Sequence, residues 1–181
     1  MDKAHLNLIF HISDLAQSNY LSNHNINPDS ISSFGQLWHF TAPASSNGLS
    51  EQFQAQSLVY TPSSTGTQVV LAFSMQNKIY SLDAVNGTLY ATRDLSTGGE
   101  VPFLVTDLPG CYDITPLIGI TGTPVIDPST DTIYFWAKSY ISPSQAGKGW
   151  QNGTYRFHAV DAVTLQERPG FPVSLQGHPG M

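Results

Sequence analysis

The chain has 181 residues, enough for one domain with a sizeable core, and carries 7 Lys+Arg against 13 Asp+Glu for a formal net charge of -6. So few cations leave no electrostatic footprint for a phosphate backbone or an anionic lipid surface, which argues against nucleic acid and membrane as partners. Serine and threonine total 35 residues and glycine and proline 27, so hydroxyls and turn formers carry the polarity; this balance favours an all-β fold over a charge-rich helical or disordered one.

Residues 1–33 read as an irregular lead-in: a short apolar run from Leu6 to Ile12, then an Asn/Ser-rich loop around Asn27-Pro28-Asp29. The run is interrupted by Asn7 and His11, too short to span a bilayer and poor as a signal peptide, so the chain as written is expected to carry no secretion signal. From Phe34 the pattern changes to short β-rich runs between turn clusters. The predicted strands are a leading one at Phe34–Phe40, then Ser57–Tyr60, Gln68–Phe73, Lys78–Asp83 and Thr88–Thr92. The last two form a hairpin over Ala84-Val85-Asn86-Gly87, with the Asn-Gly pair supplying positive φ angles.

A Gly/Pro-rich stretch over about 96–119 reads as a long loop, and it contains the single cysteine, Cys111, in the turn Pro109-Gly110-Cys111. One thiol forms no intramolecular disulfide, and with no histidine near it in sequence it reads as a loop residue. Strands follow at Ile120–Asp127 and Thr132–Ala137, joined by a turn in which Asp127 accepts backbone N–H bonds ahead of Pro128. After a loop over Tyr140–Asn152 come Tyr155–Ala162 and Phe171–Leu175.

Two segments repeat, 78 residues apart: Ile79-Tyr80-Ser81-Leu82-Asp83-Ala84 and Phe157-His158-Ala159-Val160-Asp161-Ala162. Each stands third in a run of about four short strands, the arrangement of a propeller blade, whose sheet stays half-bare until neighbours stack on it. The expected fold is therefore all-β, a partial β-propeller of about two four-stranded antiparallel blades plus one leading strand. Its parts are the lead-in 1–33, the propeller 34–176 with blades at about 55–94 and 120–175, and a tail 177–181. Two blades would leave one apolar face bare at each end, so self-association through uncovered faces is expected.

The frame Tyr80-Ser81-Leu82-Asp83-Ala84, the run Gly119-Ile120-Thr121-Gly122-Thr123-Pro124-Val125-Ile126-Asp127-Pro128 and the second His158-Ala159-Val160-Asp161-Ala162 resemble the quinoprotein-alcohol-dehydrogenase-like β-propellers, in particular secreted microbial and fungal proteins with pyrroloquinoline-quinone-type repeats. The resemblance covers about Asn19 to Leu175 and implies the amino-terminal part of a larger propeller. A quinone enzyme of that family would be expected to show a vicinal cysteine pair, a tryptophan floor and a carboxylate-rich calcium site. With one cysteine, and with Trp38, Trp136 and Trp150 outside any such context, no cofactor is expected here, and a non-catalytic scaffold or ligand-binding module is the leading expectation. A fragment of a quinone-dependent or related oxidoreductase, with its catalytic residues in other blades, is the alternative.

No residue is expected to be catalytic. Asp83 and Asp161 stand at strand ends, where aspartates cap backbone N–H groups, and His158 fills a position that the first copy gives to an unrelated side chain. The glutamates Glu51, Glu100 and Glu167 form no evident pair, and no Cys/His spacing matches a metal site. Tyr140, Trp150 and Tyr155 border the second long loop and are the candidates for stacking on a carbohydrate or other small-molecule ligand. Two sequons, Asn86-Gly87-Thr88 and Asn152-Gly153-Thr154, lie in predicted surface turns and, with the resemblance, point to an extracellular glycoprotein.

Overall fold

The computed structural model describes residues 28–43, 45, 48–110 and 113–175. Cys111, the apolar run Leu6–Ile12 and the tail 177–181 lie outside the described residues. Among those described the fold is all-β, with helix limited to short 3-10 turns, the longest at Pro28–Ser33. Ten strands form two antiparallel sheets. Sheet 1 is a meander of β1 (Leu58–Tyr60), β2 (Val69–Phe73), β3 (Lys78–Asp83) and β4 (Leu89–Asp94). Sheet 2 has six strands: β5 (Val101–Leu104), β6 (Leu117–Ile118), β7 (Val125–Asp127), β8 (Thr132–Tyr140), β9 (Thr154–Asp161) and β10 (Val173–Leu175). Its order is β10-β9-β8-β5-β6, with β7 also paired to β8.

Within sheet 2, β7 to β10 repeat the meander of sheet 1 in the same register. The row Tyr60–Val69–Asp83 corresponds to Asp127–Thr132–Asp161, and Val59–Val70–Leu82 to Ile126–Ile133–Val160. Even the step to the next strand agrees, since Leu82 pairs with Leu89 and Val160 bridges to Glu167. Because side chains alternate between faces, this register gives each sheet an equivalent front and back. The front of sheet 1 (Leu58, Tyr60, Val69, Leu71, Phe73, Ile79) packs on the back of sheet 2 (Ile126, Ile133, Phe135, Val160), all of them buried in one cluster with Phe73 and Phe135 ring centres 5.6 Å apart.

Two polar clamps close the edges of this core. On one side Asp131, in the β7–β8 turn, accepts from the Tyr60 hydroxyl, from Ser63 N (3.1 Å) and from Ser63 Oγ (2.7 Å). On the other, Arg93 of β4 donates to Leu165 O (2.7 Å) and to the Glu167 carboxylate (2.8 Å).

The structure corrects the sequence reading in four places. Phe34–Phe40 is no strand: Phe34 and Leu37 are 60% and 85% exposed, no ladder partner exists there among the described residues, and Trp38 and Phe40, with Phe53, instead lie on the back of sheet 1. There Trp38 Nε1 donates to Ala84 O (3.1 Å), and Phe40 and Phe53 lie against Tyr80 with ring centres 5.7 and 5.9 Å away. The back of sheet 1, with Tyr80 and Leu82 buried, is consequently covered rather than bare. The stretch 96–119 is not all loop, since β5 and β6 extend sheet 2 along β8. Finally, the β3–β4 turn uses one positive φ, at Gly87 (74°), and not an Asn-Gly pair. Gly87 N returns to Asp83 O (2.9 Å), while the Asp83 carboxylate accepts from Val85 N (2.7 Å) and Asn86 N (2.9 Å).

Candidate functional site

Sheet 2 differs from sheet 1 by an extension. Strand β8 runs four residues past its match with β2, and β9 starts two residues before its match with β3. In this extension Lys138 of β8 lies opposite Tyr155 of β9, with Phe103 of β5 on its other side. Its ammonium sits 4.0 Å from the Tyr155 ring centre and 4.4 Å from that of Phe103. The ring faces supply the negative potential that a carboxylate would otherwise provide, and Lys138 makes no ion pair among the described residues. Sequence reasoning misses this row because it reads Phe103 as part of a loop and ends the strand at Ala137, one residue before Lys138.

The three stacking candidates do not form one platform. Tyr140 is fully buried: its ring stacks on Phe103 (4.9 Å), its hydroxyl donates to Asp107 and accepts from Leu104 N (3.2 Å). Burial first, then the Asp107 carboxylate, push that hydroxyl up to about 12. It is a core residue and offers no ring to a ligand. Tyr155 is 48% exposed over Lys138, and Trp150 is 53% exposed in the 3-10 turn before β9, with no ring contact to Tyr155. These two remain available from solvent.

On the back of the same extension, Glu100 pairs with Arg156 and accepts from Ser139 Oγ (3.0 Å). Two residues along β9, His158 is buried, stacked flat on Phe135 (4.9 Å, 2°), with Nδ1 3.2 Å from Glu167. Its place matches Tyr80 of sheet 1, so the repeat keeps a flat ring at this point of the sheet and changes its chemistry. Among the described residues no three His, Cys, Asp or Glu side chains converge to hold a metal ion. No described helix is long and apolar enough to cross a membrane.

A cavity of about 410 Å³ opens where the extension meets sheet 1, between Lys78 and Asp94 on one wall and Val101, Leu104, Pro143 and Ala146 on the other. Its volume lies in the range of small-ligand sites. Lys78 is already engaged by Glu51 (3.0 Å) and Ser45 (2.6 Å), so this charge is internally compensated.

The aspartates expected as caps take that role. Asp161 accepts from Val163 N (3.0 Å) and Thr164 N (2.7 Å), as Asp83 does in the first copy, and Asp127 accepts from Ser129 N (2.9 Å). The Tyr90 hydroxyl and then Asn86 N hold the Asp83 carboxyl below the usual carboxylate range. Both sequons are in turns: Asn86 is exposed, whereas Asn152 is half-buried with Nδ2 donating to Lys148 O (2.7 Å).

The front of sheet 2 exposes several apolar side chains. Val125, Trp136, Val173 and Leu175 are each 41–54% exposed, and the rings of Trp136 and Tyr134 lie 4.6 and 5.9 Å from Phe157. Compared with known proteins, the chain matches no family model, no characterised protein and no solved structure.

Proposed function

We propose that this chain is a non-catalytic β-propeller module, two consecutive blades of an extracellular protein, serving as a scaffold or binding a small-molecule or carbohydrate ligand at its long-loop end. The observation that carries the reading is the stacking of two meanders of one register front to back, the relation between neighbouring blades in a ring or stack. Ligand contact is assigned to Tyr155 and Trp150, which are aromatic, exposed and borne on the elements that the repeat does not share. The sequon at the exposed Asn86 supports an extracellular setting.

The experiment gives purified protein pyrroloquinoline quinone and calcium in a dye-reduction assay, and titrates it separately with oligosaccharides while tryptophan fluorescence is followed. No dye reduction is expected. Fluorescence quenching that Trp150→Ala abolishes selects the ligand-binding form of the proposal, and its absence selects the scaffold. Dye reduction above a heat-treated control overturns both.

A further inference from the structure

The front of sheet 1 packs on sheet 2 except at the end where β2 begins and β3 stops. There a cavity of about 310 Å³ lies between sheet 1 and the turn that follows β9, at the small end of the range for ligand sites. Small side chains keep it open: Ser81 pairs with Ala91 across the β3–β4 ladder, and Ala162 lines the opposite wall. Ser81 lines it too and is only 2% exposed, yet its hydroxyl makes no hydrogen bond among the described residues. A buried hydroxyl without a partner costs free energy that a bonded guest restores. Tyr90 sets the rim. The β3–β4 register steps by one residue here, since Ser81 pairs with Ala91 and Leu82 with Leu89, which leaves Tyr90 as the extra residue of a bulge; a bulge re-aims its side chain. The Tyr90 hydroxyl donates to Asp83, which holds the half-exposed ring beside the cavity. Sheet 2 fills the matching place itself. At the equivalent step Arg168 pairs with Asp161 (3.0 Å) and reaches Thr132 Oγ1 (3.2 Å) and Thr130 O (2.7 Å), and Ala159 stands where sheet 1 has Ser81. What a guanidinium covers over the Thr132–Asp161 row is open over Val69–Asp83.

We propose that this cavity binds a compact neutral molecule, mainly apolar with one hydroxyl, of the class of phenol, whose hydroxyl bonds to Ser81 Oγ. The lining decides the class. Val69, Ala162 and Val163 give apolar contact, Ser81, Thr65 and Thr67 give hydroxyls, and among the described residues no charged or amide side chain lines the space. An ion would be buried there without a counter-charge. A polyol would leave most of its hydroxyls unpaired. A ring with one hydroxyl satisfies Ser81 and gives the rest of its surface to the apolar walls and the Tyr90 ring. Because the walls come from both sheets, the guest also joins the two meanders.

The test titrates the nitrogen-15-labelled chain with phenol and follows amide shifts. Saturable shifts are expected at Ser81, Thr67 and Val163, with a dissociation constant on the order of 1 mM. Glucose and benzoate at the same concentrations are expected to give none there. Ser81→Ala, which carries into sheet 1 the side chain that sheet 2 has at this place, is expected to weaken phenol by about 5-fold while toluene binds no more weakly than before. Val163→Phe fills the cavity from the opposite wall and is expected to abolish the shifts with the circular dichroism unchanged; Thr67→Phe does the same from the sheet 1 side should the first variant misfold. Trp150→Ala should leave phenol binding as it is, so this site and the ligand contact proposed at Trp150 and Tyr155 fail separately. No saturable shift, shifts confined to other residues, binding indifferent to Ser81→Ala and to the filling variants, or equal binding of glucose or benzoate would each overturn the inference.

Discussion

Sheets 1 and 2 share a strand register and differ in what their fronts face. Phe73 and Trp136 are equivalent positions, yet Phe73 is fully buried under the neighbouring sheet while Trp136 is 41% exposed; Ile79 and Phe157 differ in the same sense. In sheet 1 the apolar side chains of the front are aliphatic apart from Tyr60 and Phe73, and shielding comes from outside. In sheet 2 the matching positions carry Tyr134, Trp136 and Phe157, whose rings stack on one another. Where no sheet lies on top, wide rings shield each other sideways, and the repeat has exchanged side-chain type while keeping its backbone.

The sharpest way to break this comparison is to truncate both members of the pair. Phe73→Ala opens a cavity in the closed core and is expected to cost about 3–5 kcal/mol, against about 1–3 kcal/mol for Trp136→Ala, whose partly exposed ring gives up less buried area. Urea unfolding of the two variants at one concentration reads the difference; equal losses would mean that the fronts are not differently covered.

Next in size is the clamp at Asp131. Burial pushes its carboxyl up, but the bonds from Tyr60 and Ser63 outweigh that, and the folded protein holds it below the usual carboxylate value. A lowered carboxylate contributes stability above its ordinary pKa near 4 and loses it as pH falls through the folded value. Asp161, where burial is likewise outweighed by the Thr164 and Val163 bonds, behaves the same way. The melting temperature is therefore expected to stay level from about pH 7 to 5 and to drop below about 4. Asp131→Ala strands the buried Tyr60 hydroxyl at a cost of about 1–3 kcal/mol and should flatten part of the acid limb. Melts of wild type and variant across pH 2–7, a range set by carboxylate titration, decide this.

How far the sequence discloses this arrangement depends on the range of the interaction involved. The strands of both meanders and the Asp83, Asp127 and Asp161 turns were legible because alternation and Asx bonding act within a few residues. Phe34–Phe40 has strand composition, but a strand needs a partner, and Trp38 finds the β3–β4 turn instead. Conversely, Val101-Pro102-Phe103-Leu104 hides β5 behind a proline; β5 lies between β8 and β6, but Pro102 pairs only with β8 and falls outside the Phe103–Leu104 stretch paired with β6, and with β5 goes the Lys138 site. Tyr140 was placed on a loop border, yet it ends β8 underneath Phe103. Apart from the local geometry of the β3–β4 turn, what the sequence withholds here is contact between segments distant along the chain.

A smaller effect separates the two repeat turns. Gly87 and Leu165 both adopt positive φ, 74° and 57°, and both return an N–H to the preceding aspartate carbonyl at 2.9 Å. In sheet 1 the glycine makes room for the cap, since a Cβ there would stand 2.6 Å from the Trp38 ring. In sheet 2 the leucine side chain is fully buried in the core, which offsets its backbone strain. Gly87→Ala is expected to cost about 1–2 kcal/mol, from strain and displacement of Trp38. Leu165→Gly should also cost about 1–2 kcal/mol, because lost burial exceeds the strain relieved. Thermal unfolding of both checks this, with Trp38 fluorescence shifting only in the first.

The smallest effect concerns the sequons, whose turns the structure makes unequal. Asn86 is exposed, with its Oδ1 accepting from Thr88 N (2.8 Å) and its Nδ2 side open for glycan attachment. Asn152 spends its Nδ2 on Lys148 O (2.7 Å) and Gly149 O (3.4 Å) inside the turn that leads into β9. A glycan on Nδ2 replaces one of its two hydrogens, so the folded turn disfavours the modified state at Asn152 and is indifferent to it at Asn86. After secretion from a eukaryotic host, Asn86 is expected to be glycosylated at high occupancy and Asn152 at lower occupancy. Removing either sequon through Thr88→Ala or Thr154→Ala should change intact mass by one glycan chiefly in the first case. Peptide mapping before and after glycosidase treatment reads both occupancies, and equal occupancy would show that attachment precedes formation of the turn and ignores the folded hydrogen bonds.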